Sequence, residues 1–496
     1  MKKMPFIYLI AGIIAVIGVA VFFLTLRENS SVANPAPGTE SNNSGLSSEP
    51  GHYPGPDTGP GDDAAIASDS SPNAGFGTEA DLTPTPGTDP GAEQIPDYGQ
   101  EDGQEPGQEP GQDNGREPGF TTEPAPEPII AADLTDSLTV TLSDGRQPSV
   151  LLDRDYTSRI AFRSGAELTI SAAENVYSMY LIWGLPPGLW SVTGVEAQIF
   201  GENGFIHEYV VLDAPGTELT ISFPTDGAML CDIYAFSEGT PPAWVQTWLP
   251  PHERANLLAF PTHADDEHLF FVGVLPYYSG ERGYRVQVAY MTNHWNEPPR
   301  HHEMLNGLWA VGIRNYPVIS ELNDRYAGSL EQAESIYGFD SFVNFQVEQI
   351  RRFKPHVIVG HDLNGEYGHG THMLGAHALR EAVERAADSS RHAVSFDRYG
   401  IWNTPKLYLH LYPQNSIMMD WSIPLESFGG ASAYEMAVAG YDAHKSQHRW
   451  AFAVPRPGSV SGHRFGLVRS LVGSDVIGGD MFENVFDERP AYGIMP

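Results

Sequence analysis

The sequence predicts an α/β domain with a parallel sheet at residues 253–496, preceded by an all-β sandwich or jelly roll at 129–248. From Asn256 onward, short apolar runs alternate with helical stretches, which is typical of a parallel sheet covered by helices on both faces. Between 129 and 248, β-branched and alternating runs are separated by Gly, Pro and Asp turns at sandwich-like spacing. The first 128 residues show neither pattern, and they predict a membrane helix and a linker.

Residues 1–27 predict a signal-anchor transmembrane helix. Lys2 and Lys3 precede an uncharged apolar run from Met4 to Leu26, which exceeds the roughly 20 residues that span a hydrocarbon core. The run is longer than the apolar region of a cleaved signal peptide, which is the alternative, and no Ala-x-Ala type cleavage site follows it closely. Both interpretations place the rest of the chain outside the cell. We therefore expect a single-pass protein of the cell membrane with an extracellular C-terminal part.

Residues 28–128 predict a disordered, acidic linker. The stretch is rich in Pro and Gly, and between 29 and 128 it carries 19 acidic residues and one basic residue, Arg116. Too few apolar side chains are present to offset the entropy of ordering, and charge repulsion should extend the chain. The net charge of -35 for the whole chain disfavours a nucleic-acid partner, and the single cysteine, Cys231, excludes an intramolecular disulfide.

Seven runs predict the strands of the all-β region: Leu138–Leu142, Ser149–Leu152, Glu167–Ser171, Met179–Trp183, Val195–Phe200, Glu218–Phe223 and Asp232–Phe236. The stretch from Met179 to Trp190 resembles galactose-binding-type jelly rolls. Trp183 and Trp190 have two interpretations: they stack on the sugar rings of a glycan ligand, or, as we favour, they fill the core.

The α/β region predicts its elements in alternation. The predicted strands are Asn256–Phe260, Arg285–Met291, His356–Gly360 and Lys406–Leu411, and the predicted helices lie near 267–278, 300–312, 341–353 and 371–387. In such sheets the functional site lies at the carboxyl ends of the strands. Residues that directly follow a predicted strand are therefore the candidates for chemistry.

Two polar clusters follow two of these strands. One is Pro261–His268, and the other is the glycine-rich loop Gly360–His372. Because both clusters leave the same edge of the sheet, we expect them to converge. A histidine, two adjacent aspartates and a His-x-x-His pair suit a catalytic zinc site, in which three N or O ligands leave a fourth position open.

The spacing within these clusters suggests roles. His263 and Asp266 lie three residues apart on a tight loop, so both can face one ion, whereas Asp265 points elsewhere and can take a proton from the attacking water. His369 and His372 lie three residues apart at a helix start, on one face. One of the two histidines can ligate the metal while the other reaches the substrate.

Three motifs resemble those of the PIG-L/LmbE-like zinc deacetylases, in the same order and with similar spacing. Thr262–Glu267 matches a motif close to A-H-P-D-D-E, Arg300–Glu303 matches an Arg-x-x-Glu that opens the second helix, and His369–His372 matches the family's H-x-x-H. The resemblance covers about 255–450. Ala264 departs from it, since the family usually has proline there, and alanine is expected to loosen the loop.

The resemblance implies a Rossmann-like α/β fold and a zinc cofactor. It implies that the zinc ligands are His263, Asp266 and His372. It also implies that Asp265 is the general base and that His369 is the acid or the oxyanion stabiliser.

The function implied is removal of the N-acetyl group from an N-acetylglucosamine-type glycan, glycolipid or glycoconjugate at the cell surface, with Arg300 contacting the sugar. One alternative keeps the zinc site but cleaves another amide, in a thiol conjugate or in peptidoglycan. A second alternative is a surface protein that binds carbohydrate without catalysis, and the complete set of ligands and base argues against it.

Overall fold

The computed structural model describes residues 129–193, 197–475 and 478–485. The predicted transmembrane helix at 1–27 and the predicted linker at 28–128 lie outside the described residues. Within the described ranges, none of the helices combines the length and the apolar character that crossing a bilayer requires.

One antiparallel sheet occupies the first part of the described chain. Its strands are β1 (Thr139–Leu142), β2 (Ile160–Ala161), β3 (Ala166–Trp183), β4 (Trp190–Thr193), β5 (Gln198–Phe200), β6 (His207–Phe223) and β7 (Met229–Phe236). Their order is β2-β7-β3-β6-β4-β5, and β1 pairs with β3. Alternate residues of β3, such as Leu168 and Ile170, are buried, because successive side chains of a strand point to opposite faces.

The long strand β3 unites two of the predicted strands, Glu167–Ser171 and Met179–Trp183, and its pairing with β6 shifts register between them. The predicted strand Ser149–Leu152 is wrong, since Ser149–Leu151 forms a 3₁₀ turn. Pro148, directly before this turn, has no backbone N–H to pair in a sheet. The predicted strand Val195–Phe200 includes residues outside the described ranges, and β5 covers only its end.

The tryptophans of the first sheet are core residues. Trp183 and Trp190 are 0% and 1% exposed. Both indole N–H groups donate to the same buried carboxylate oxygen, Oε2 of Glu208, at 3.1 and 2.9 Å. The interpretation that they fill the core is therefore correct, and these two rings present no surface on which a sugar could stack.

A second sheet follows, and it is mixed. Its strands are β8 (Leu257–Ala259), β9 (Val286–Tyr290), β10 (Val318–Ile319), β11 (Val357–Gly360), β12 (Lys406–His410), β13 (Ser416–Met418) and β14 (Arg464–Ser470). Their order is β10-β9-β8-β11-β12-β14-β13. The pairings from β10 to β12 are parallel, as predicted, whereas β14 and β13 add antiparallel pairings at one edge. Strands β8 and β11 are buried at every position, as expected for a sheet covered on both faces.

The helices of this region are α1 (Asp266–Leu269), α2 (Pro298–Ala310), α3 (Leu330–Tyr337), α4 (Phe339–Phe353), α5 (Gly365–Gly368), α6 (Gly370–Ala386), α7 (Ala393–Tyr399), α8 (Ala433–Asp442) and α9 (Val460–His463). The helix predicted near 267–278 is interrupted, since α1 is a single turn and helical structure returns only at 274. Val272 adopts a φ of 46°, which ends regular helix, and a Cβ on Gly273 would lie 2.6 Å from the Trp421 ring. Close packing against a distant tryptophan therefore interrupts the predicted helix, and helical structure resumes at 274 and continues as a π-helix over Pro276–Glu281.

The sheet order places the candidate clusters side by side. Strand β8 lies between β9 and β11 and runs parallel to both. The loops that follow these three strands consequently leave from the same edge of the sheet.

Candidate active site

Three side-chain atoms form a tight triangle at this edge. Nδ1 of His263 lies 2.9 Å from Nε2 of His372 and 3.2 Å from Oδ2 of Asp266, and the last two atoms are 3.2 Å apart. All three residues are buried. A tetrahedral zinc ion with bonds of about 2.0–2.2 Å separates its ligand atoms by about 3.3–3.5 Å. The donor types and their spacing therefore fit zinc with only a small outward adjustment.

The loop after β8 is closed by one of these ligand residues. Oδ2 of Asp266 accepts hydrogen bonds from the backbone N–H groups of Thr262 at 3.1 Å and His263 at 2.7 Å. Asp265, which directly precedes Asp266 in this loop, has a φ of 128°, a backbone conformation that residues other than glycine rarely adopt. Strain of this kind persists where the surrounding contacts hold it, and it is common at functional sites.

The charges around the triangle favour a cation. Burial lowers the pKa of His263, but the carboxylates of Asp324 and Asp266 outweigh it and raise the pKa to about 9. Burial raises the pKa of Asp266, but the neighbouring imidazoles of His372 and His263 hold it well below its usual range. The carboxylates thus stabilise positive charge among these side chains, which is the charge that a zinc ion brings.

Asp265 lies beside the triangle and faces Arg300. Its Oδ1 is 3.5 Å from Nη2 of Arg300, and its backbone N–H donates to Oε2 of Glu267 at 3.1 Å. Burial raises the pKa of Asp265 to about 7, although Arg300 opposes the shift. Nη2 of Arg300 also donates to the carbonyl of Ala264 at 2.6 Å, so this arginine braces the loop.

His369 lies against the same ligands. Its ring centroid is 4.8 Å from that of His263 and 4.7 Å from that of His372. Its Nδ1 is buried and has no hydrogen-bond partner among the described residues. Burial and the two neighbouring imidazoles lower the pKa of His369 to about 2, so the neutral ring predominates near pH 7. The structure thus brings together all six residues that the sequence singled out.

Several residues that support the ligands are not among the site residues predicted from the sequence. Oε2 of Glu366 lies 2.8 Å from Nδ1 of His372, and Oε1 lies 2.9 Å from Nδ1 of His361, whose Nε2 is 3.3 Å from Oδ2 of Asp266. Oδ1 of Asp324 lies 3.3 Å from Nε2 of His263. Such outer partners fix the tautomer of a ligating imidazole.

A signal for the supporting residues was partly present in the sequence. Glu366 stands in the glycine-rich loop, and His361 is the first residue after β11, at the sheet edge that carries the site. Asp324 lies beyond the two-residue strand β10, which is too short to give a recognisable pattern.

Comparison with known proteins gives partial similarities. No family model matches the sequence. A 1D-myo-inositol 2-acetamido-2-deoxy-alpha-D-glucopyranoside deacetylase from Rhodococcus erythropolis is 38% identical over 69 residues, which is 14% of this chain and 22% of that protein. A protein of the same name from Geodermatophilus obscurus is 27% identical over 168 residues, or 30% of this chain and 55% of that protein.

Among solved structures, the N,N'-diacetylchitobiose deacetylase of Pyrococcus horikoshii is 15% identical, with a TM-score of 0.29, over 40% of this chain and 72% of that one. The chain spans 22% to 55% of the length of the curated relatives. Over these limited segments, it is similar to proteins named as deacetylases of a 2-acetamido-glucopyranoside.

Proposed function

We propose that the chain is a zinc-dependent deacetylase of the PIG-L/LmbE type. Its substrate is an N-acetylglucosamine-type group in a glycan, glycolipid or glycoconjugate. The observation that carries the proposal is the triangle of His263, Asp266 and His372, whose donor atoms lie within 3.2 Å of one another. The partial similarity to named deacetylases supports the same reaction class.

The proposed reaction is hydrolysis of an amide. His263, Asp266 and His372 hold the metal, and a zinc ion bound there supplies Lewis acidity and lowers the pKa of water. Asp265 accepts a proton from the attacking water on its carboxylate as the new C–O bond forms. That proton then passes to the nitrogen of the leaving amine as the C–N bond breaks, which releases acetate and the free amino sugar.

Two further side chains complete the proposed mechanism. In this mechanism, a ring N–H of His369 donates a hydrogen bond to the carbonyl oxygen as negative charge develops there. Arg300 stabilises the ionised form of Asp265 and holds the loop, and from this position it contacts the sugar.

The activity test uses the purified full chain. Acetate release is measured with free N-acetylglucosamine, a lipid-linked N-acetylglucosaminide and a cell-wall polymer, after metal removal and again after zinc is restored. Asp265→Asn should retain zinc and lose about 100-fold or more of the activity. His372→Ala should lose the zinc ion of this site together with the activity, whereas His377→Ala, on the same helix α6, should lose neither. Zinc-independent acetate release, or full turnover by Asp265→Asn, would refute the assignment.

Location belongs to the proposal as well. A helix at 1–27 anchors the chain in the cell membrane, and the linker at 28–128 holds the catalytic part outside. A protease added to intact cells should then cut the linker and release a C-terminal fragment. If that fragment appeared only after the cells were broken, the proposed orientation would be wrong.

A further inference from the structure

A second cluster of potential metal ligands lies behind the loop that carries Asp265. Glu267 and His268 belong to the single turn α1, and His444 follows helix α8. All three side chains are completely buried. The proposed deacetylase mechanism gives none of them contact with substrate or with the first metal.

The donor atoms of this cluster converge. Oε1 of Glu267 lies 3.2 Å from Nε2 of His268 and 3.8 Å from Nε2 of His444. One donor atom from each of the three residues lies within 4.8 Å of the other two. Two imidazole nitrogens and one carboxylate oxygen are a ligand set that zinc commonly takes.

These atoms are also without hydrogen-bond partners. Oε1 of Glu267 and both ring nitrogens of His268 and of His444 are buried, and none has a hydrogen-bond partner among the described residues. Buried polar atoms are nearly always satisfied, because leaving them unpaired costs free energy. A metal ion accepts lone pairs from several directions at once, so it would satisfy the carboxylate oxygen and one nitrogen of each ring.

Two glycines make room for this arrangement. A Cβ on Gly307, in helix α2, would lie 2.6 Å from Nε2 of His268, 2.9 Å from Nε2 of His444 and 2.9 Å from the carbonyl oxygen of Gly440. A Cβ on Gly440, in helix α8, would lie 2.4 Å from Cε1 of His268. Two nitrogens and a carbonyl oxygen thus face one point beside Gly307, which only a residue without a side chain leaves open.

The segment that carries His444 is fastened to helix α2. The two carboxylate oxygens of Glu303 accept hydrogen bonds from the backbone N–H and the hydroxyl of Ser446, at 2.7 and 2.6 Å. This pair fixes His444, two residues earlier in the chain, relative to Gly307. The cluster is therefore held from three elements, α1, α2 and the end of α8.

We propose that Glu267, His268 and His444 form a second, structural zinc site, with the carbonyl oxygen of Gly440 as the fourth ligand. The ion joins α1 to the end of α8, which Glu303 fastens to α2, and it thereby supports the loop from which Asp265 and Asp266 project. Because the ligands are fully buried, the ion enters as the chain folds. The site does not depend on the deacetylase activity.

The test is the zinc content of the full chain purified from cells grown with zinc, measured by elemental analysis. Wild type should hold two ions per chain. His372→Ala should keep one, His444→Gln should keep one, and the double variant should hold none. His448→Gln is the matched control, since His448 is exposed and lies four residues from His444 in the same segment.

The stoichiometries separate the two proposals. One zinc in wild type and none in His372→Ala would overturn the second site, and the cluster would then hold water. One zinc in wild type that survives in His372→Ala but not in His444→Gln would support the second site and contradict the first. X-ray absorption at the zinc edge in His372→Ala gives a result even if His444→Gln does not fold. Two imidazoles with two oxygens are expected there, and any other ligand set would overturn the assignment.

Discussion

His207 connects the first sheet to the helix that carries Arg300, and it should make the fold sensitive to acid. It lies on β6, is 2% exposed, and its Nε2 is 3.0 Å from Nδ1 of His302 in helix α2. Its Nδ1 is 2.9 Å from Oε1 of Gln246. Burial, with a smaller contribution from the nearby His301, lowers the pKa of His207 to about 3, although the bond to Gln246 opposes the shift.

The sign and size of the effect follow from proton linkage. In the unfolded chain the pKa of a histidine is about 6.5, so below this pH the unfolded state binds a proton that the folded state excludes. Stability is therefore complete above about pH 6.5 and is lost as the pH falls toward 3. At pH 5, about 1.5 pH units below the unfolded pKa, protonation stabilises the unfolded chain by about 2 kcal/mol, at about 1.36 kcal/mol per pH unit.

The measurement is the free energy of unfolding in urea at pH 8 and pH 5, followed by tryptophan fluorescence. The loss between the two values should be about 2 kcal/mol smaller in His207→Gln than in wild type, because glutamine keeps hydrogen-bonding groups but does not titrate. His377→Gln, a control outside the cluster, should behave as wild type does. Any loss of zinc at pH 5 affects all three proteins alike. The same pH dependence in His207→Gln and wild type would refute this reasoning.

Three other residues have roles that a substitution can test. Glu208→Ala leaves three buried N–H donors without an acceptor and should lower the free energy of unfolding by about 3 kcal/mol or more, whereas the exposed Glu218→Ala on the same strand should cost under about 0.5 kcal/mol in the same urea titration. Glu366→Gln weakens the acceptor for Nδ1–H of His372 and should reduce the zinc affinity, measured by competition with a chelator, about 10–100-fold. An unchanged zinc affinity would contradict the assignment of Glu366 as the residue that orients His372. Ala264→Pro removes the buried N–H that donates to Nε2 of His294, and it should lower the free energy of unfolding in urea by about 1–3 kcal/mol. An unchanged free energy of unfolding would show that this hydrogen bond does not contribute to stability.

Local sequence patterns predicted the elements whose burial is uniform. Strands β8 and β11 are buried on both faces, so each appears as a short apolar run that ends close to its predicted limit. The short helix α1 could not be predicted, because the chain after it is constrained by contact with Trp421, some 150 residues away. The 3₁₀ turn at Ser149–Leu151 could not be distinguished from a strand by its sequence either, since its apolar composition also suits a strand.

In the candidate site, the proposed metal ligands could be predicted from the sequence, whereas the carboxylates that orient them could not. His263, Asp266 and His372 were accessible from the sequence because they directly follow or closely trail two strands that prove to be neighbours. Asp324 lies 61 positions after His263 and meets its ring only through the path of the chain around β9 and β10. A ligand set can therefore be predicted from motifs at strand ends, whereas the carboxylates that orient it depend on tertiary structure.

Ala264 shows how such distant contacts revise an expectation drawn from a motif. Alanine was expected to loosen a loop that proline would stiffen, yet Ala264 is 1% exposed and its carbonyl accepts a hydrogen bond from Arg300. Its N–H donates to Nε2 of His294 at 3.2 Å, a bond that proline cannot make. That bond leaves the proton of the neutral imidazole on Nδ1, 3.7 Å from Asp324, whose other oxygen faces His263. Alanine thus keeps a backbone hydrogen bond between this loop and His294 that a proline at the same position would remove.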